Sequence, residues 1–104
     1  MHILALSLVL CQKEGISPLV AHSWAWRIQN EYPESLRQAA EAWAMGEEIP
    51  PAEVVGETLD QVIRQTGANV PEALELMYVM SRDPAEGLDL LARSTRRDNL
   101  GEMR

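Results

Sequence analysis

"TLDQVIRQTGANVPEALELM", residues 58–77, is the stretch on which the reading of the chain turns. Leu59, Val62 and Ile63 share one face of a helix that stops at Gly67. Thr58 and Gln61 stand at capping-box spacing at its start. A second helix opens near Val70, with Asn69 and Glu72 in a similar spacing around Pro71. Helix, glycine turn, helix is the outline of a DNA-reading helix-turn-helix. It is equally the outline of a plain helical hairpin.

Two features favour the hairpin. Ile63 lies four residues before the turn glycine, where closely crossing helices favour a small side chain. The would-be reading helix, "NVPEALELMYVM" (69–80), has no Lys or Arg and carries Glu72 and Glu75. Base edges and phosphates call for donors at such a helix start, not carboxylates. Nucleic acid is therefore not the expected partner. A helix-turn-helix regulator reading DNA through residues 58–80 stands as the alternative.

The second helix says more about packing. Ala73, Leu74, Leu76, Met77, Tyr78, Val79 and Met80 surround its axis, and a helix apolar all round belongs inside a bundle. If part of its methionine-rich side is open, Met77, Tyr78 and Met80 make a candidate interface.

Working outward, start and stop signals recur along the chain and strand signals are nearly absent. The apolar run "ILALSLVLC" (3–11) predicts a buried core helix that ends at Gly15. It has no basic flank or A-x-A site of a secretory leader and is too short to span a bilayer. Leu10, just before Cys11, is also wrong for a lipoprotein signal. Ser17 and Pro18 open a second helix, "PLVAHSWAWRIQN". Pro33 opens a third, with Leu36, Ala40 and Trp43 as its stripe and Gly46 as its stop. "EEIPPAEVVGE" (47–57) is the longest loop, with at most one turn near Pro51. Asp83, Pro84 and Glu86 start a last helix that fades near Thr95. The pattern predicts an all-α fold: a compact irregular bundle of five to six short helices. It forms a single domain over residues 1–95, with a frayed tail over 96–104.

The most informative detail for function lies in the second helix. Trp24 and Trp26 are two residues apart, so they point about 200° apart on a helix. Val20, Trp24 and Ile28 form the expected core stripe. Trp26 then falls on the far side with Leu19 and His22, and an exposed Trp is a typical interface anchor. Leu19, His22 and Trp26 are the first candidate interface.

Charge and composition narrow the alternatives. The net charge is −7, spread over both halves, and only Arg93, Arg96 and Arg97 cluster, with Asp89 and Asp98 beside them. Glu47, Glu48, Glu53, Glu57 and Asp60 lack calcium-loop spacing and read as a solvated acidic stretch. Cys11 is the one cysteine, which excludes an intramolecular disulfide and fits a reducing, cytoplasmic setting. His2, His22 and Cys11 have no zinc-type spacing. Cys11 sits in an apolar run where burial makes a thiol inert. No nucleophile elbow, phosphate loop or dinucleotide fingerprint occurs. The expectation is a non-catalytic module without cofactor or metal. It works through protein–protein interaction or self-association.

Overall fold

A computed structural model describes the backbone of residues 2–102 and the side chains through Arg93. The fold is all-α. Among the described residues there are six helices and one two-stranded sheet. The chain divides into two compact units, Met1–Pro50 and Pro51–Arg104, and the division falls inside the predicted loop.

The first unit holds α1 (Ile3–Glu14), α2 (Pro18–Asn30) and α3 (Glu34–Met45). The expected punctuation is in place. Gly15 ends α1 in the left-handed region at φ 64°, with its N–H donating to the Cys11 carbonyl. The Ser17 hydroxyl caps α2 by accepting from Val20 N, and Pro18 fills the first turn, where its missing N–H costs nothing. Gly46 ends α3 at φ 72°. The α1 and α2 helices are each other's main partners, and α3 packs on both. Lys13 ties α1 to α3: its Nζ donates to the Trp43 carbonyl at 2.9 Å and stands 4.8 Å from the centre of the Trp43 ring.

The sequence reading of α1 as a wholly buried core helix needs correction. Leu6, Ser7 and Leu10 are buried, but Leu4 and Leu8 are 59% and 63% exposed. A helix that packs chiefly on one neighbour covers only one side of itself, and α1 is apolar on the other side too.

The second unit opens with a hairpin that the sequence reading missed. β1 (Glu53–Val54) pairs antiparallel with β2 (Glu57–Thr58), with Glu53 opposite Thr58. Val55 and Gly56 make the turn with φ of 50° and 78°. Two positive φ values are what a two-residue hairpin turn needs to match the twist of its strands. The Leu59 N–H then donates to the Ala52 carbonyl at 3.0 Å. Two-residue strands around a β-branched turn residue fall below what alternation can reveal, which is why 47–57 reads as a loop.

Helix α4 (Leu59–Thr66) starts with both halves of the Thr58–Gln61 capping box and ends at Gly67, φ 70°. Helix α5 (Val70–Arg82) is capped by Asn69, whose side chain accepts from Glu72 N at 3.0 Å. It packs against α4, α6 and β1 and is central within its unit. Helix α6 (Pro84–Glu102) starts where Asp83 accepts from Glu86 N, and it continues past Thr95 to Glu102. Nothing between Pro84 and Gly101 is a strong helix breaker apart from Gly87, and Gly87 is used for packing. The side chains of the 96–104 tail lie outside the described residues. None of the described helices is long and apolar enough to cross a membrane.

Gly87 is buried where α6 meets α5. A Cβ there would collide with the backbone and side chain of Met80. Gly87→Ala should therefore destabilise the fold by roughly 2 kcal/mol, despite the better helix propensity of alanine, as read by urea denaturation. Val55 is the opposite case. It is a β-branched residue held in the left-handed region on an exposed turn. Val55→Asn should stabilise by about 1 kcal/mol in the same assay. A loss of stability would show that the turn has another backbone conformation.

Candidate functional site

The buried ridge of α2 is Ala21, Ala25 and Ile28. Ala21 and Ala25 are 0% exposed. These three positions follow i, i+4, i+7 spacing and face one direction. The α1 side supplies Leu6, Ser7 and Leu10. Small side chains on one helix allow the larger ones of its neighbour to seat close to its axis.

This ridge fixes what faces outward. Leu19 lies about 160° around the axis from the centre of the ridge, and Trp26 lies within about 20° of Leu19, two turns further along. Leu19 is 81% exposed and Trp26 45%, and His22 is exposed beside them. The structure therefore brings the first three candidate residues onto one solvent-facing strip. Ser23 and Asn30 complete it, and both are exposed. The Asn30 amide donates to the Trp26 carbonyl at 3.0 Å, and Arg27 reaches the Ser23 hydroxyl at 3.5 Å. Leu19, His22, Ser23, Trp26 and Asn30 include no Lys, Arg, Asp or Glu, and the Arg27 guanidinium borders the strip at Ser23.

Val20 does not belong to the core stripe expected for it. It is 55% exposed, because the close approach of α1 selects the alanines rather than the larger residues. Ile28 is buried as expected. Trp24 is half-buried and fixed: its Nε1 donates to the Tyr32 hydroxyl at 3.0 Å. The two tryptophans thus have different environments, as their angular separation requires.

The second candidate interface is not on the surface. Met77 and Met80 are 0% exposed and Tyr78 3%. Three neighbouring elements surround α5, so its methionines fill irregular gaps between them. Arg82 covers Tyr78, with its guanidinium 2.7 Å from the phenol oxygen. The Met77, Tyr78 and Met80 face is core.

The helix–turn–helix outline of α4, Gly67 and α5 is present as geometry. At the start of α5, Pro71, Ala73 and Leu74 are buried, and Glu72 is the exposed side chain of the first turn. Of the three clustered arginines, Arg93 is paired with Asp89 at 2.6 Å; Arg96 and Arg97 have side chains outside the described residues. The soft ligand candidates have separate settings. His2 caps α1 by accepting from Leu4 N at 3.2 Å, Cys11 is half-buried on α1, and His22 is exposed on α2. Among the described residues no group of three His, Cys, Asp or Glu side chains is placed to hold a metal ion.

Sequence reasoning missed the extent of apolar exposure in the first unit. Leu4, Leu8 and Met45 join Leu19, Val20 and Trp26 as exposed large apolar side chains there. The available signal was the lack of any polar face in the first ten residues.

Comparison with protein-family models, curated proteins and solved structures finds no match.

The strip and the ridge respond oppositely to mutation. Trp26→Ala should change stability by less than about 1 kcal/mol, because exposed positions tolerate replacement. Ala25→Leu should cost about 2 kcal/mol or more by overfilling the α1–α2 contact. Thermal unfolding of the two variants checks the pair, and a large loss in Trp26→Ala would place that ring in the core.

Proposed function

We propose that this chain is a non-catalytic interaction module that docks through the outer strip of α2. Leu19 and Trp26 are its anchors, and the cytoplasm, where the Cys11 thiol stays reduced, is its setting. The observation that carries this reading is the inverted use of side chains on α2. The helix buries two alanines and leaves a leucine and a tryptophan facing water. Covering those two side chains in a partner's groove gains the hydrophobic free energy that folding leaves unused. Tryptophan is enriched among residues that dominate binding, and the flanking His22, Ser23 and Asn30 suit a polar rim. The acidic remainder of the surface sets orientation and association rate rather than contact strength.

Tagged full-length chain, incubated with lysate of its native host, tests this. Half of the sample is treated with nuclease. The expected result is a protein captured at near-equal stoichiometry that survives nuclease. Its recovery should fall by at least about thirtyfold with Trp26→Ala, the loss of a central anchor of about 2 kcal/mol. Capture unchanged by that substitution, or captured material that vanishes with nuclease, contradicts the proposal.

A further inference from the structure

We infer that Lys13 is an acylation site, and that its ammonium is a charge-dependent latch between α1 and α3 which opens when an activated acyl group is transferred to Nζ. This latch is separate from the α2 strip and does not depend on the docking role proposed for it.

Lys13 is the one lysine among 104 residues, and every other basic side chain is an arginine. A guanidinium stays protonated and is a poor nucleophile, so side-chain acylation has a single amine to act on. That amine is on an exposed residue, and it is in use. Its Nζ donates to the Trp43 carbonyl at 2.9 Å and stands 4.8 Å from the centre of the Trp43 ring. Both contacts draw on the positive charge. The ring face attracts a cation, and the carbonyl belongs to the last turn of α3, the negative end of that helix. Helix α3 has no basic residue of its own in that turn; Lys13, in the last turn of α1, supplies the missing cation.

The chemistry that opens the latch is transfer from an activated acyl donor, of which an acyl phosphate is the simplest. The ammonium first loses a proton, and the freed lone pair attacks the acyl carbon. The C–N bond forms, the bond from that carbon to the phosphate oxygen breaks, and phosphate leaves with the electron pair. The nitrogen then gives up a second proton. One of the two protons ends on the phosphate and the other in water. The product is an uncharged amide, which has no cation for the ring face and is a weaker donor to the carbonyl. The amine has to leave Trp43 to react, so acylation captures the open form of the latch, and the amide holds it open.

Full-length chain labelled with 5-fluorotryptophan and treated with acetyl phosphate tests this, with peptide mass spectrometry to locate the acetyl group. Lys13 is expected to carry it, the Trp43 fluorine resonance to move and the Trp26 resonance to stay. The Gly46 and Glu47 N–H groups donate to carbonyls of the same turn. Their hydrogen exchange should quicken by at least about threefold, the loss of one exposed cation contact. Lys13→Gln, untreated, should reproduce both changes. Lys13→Arg keeps a cation, so it should show the native resonance and exchange and be indifferent to treatment. A Lys13 that stays unmodified overturns the inference. So does a chain in which neither acetylation nor Lys13→Gln moves the Trp43 resonance or the exchange. Lys13→Arg behaving like Lys13→Gln also overturns it, because the charge would then not be what holds α3.

Discussion

The close contact between α1 and α2 is the constraint from which the functional reading follows. Ala21 and Ala25 are completely buried, and with Ile28 they define which side of α2 faces its neighbour. Once that side is fixed, helical geometry leaves no freedom for Leu19 and Trp26, which must point into solvent. The same contact explains α1. Leu6, Ser7 and Leu10 satisfy it, and Leu4 and Leu8 are left on the outside. A helix pair that joined through its large residues would have hidden Trp26 and exposed the alanines.

The second unit solves the same problem differently. Its α5 has neighbours on three sides, so Met77, Tyr78 and Met80 find cover within the fold. Gly87 makes this arrangement possible by letting α6 come against Met80 where a side chain would not fit. Among the described residues only Val55 and Leu88 are large, apolar and exposed in this unit, against six in the first. Surplus apolar surface is thus concentrated in the first unit. Monomeric proteins expose single apolar residues routinely; here Leu19 and Trp26 lie on one strip of one helix.

Much of this was legible in the residues. Ser17–Pro18, Thr58 with Gln61, Asn69 with Glu72, and Gly15, Gly46 and Gly67 mark helix ends through local hydrogen bonds and backbone freedom, which depend on near neighbours alone. The opposite orientation of Trp24 and Trp26 follows from two residues and a helical period. What remained hidden depends on contacts distant in sequence. Nothing local says that α1 would seat on alanines and leave Val20 outside. The all-round apolar sequence of α5 already pointed to cover, and Met77 and Met80 are buried accordingly. The Val55–Gly56 hairpin was hidden for another reason: valine disfavours positive φ, so the turn contradicts its own residue preference.

The exposure of Trp26 on its own helix is the claim on which the rest stands. Full-length chain labelled with 5-fluorotryptophan gives one fluorine resonance for each of Trp24, Trp26 and Trp43, assignable by single substitutions. A soluble paramagnetic agent should broaden Trp26 strongly and Trp24 much less. Equal protection of Trp24 and Trp26 would contradict the account, because Trp26 would then be a core residue and α2 would have no free face.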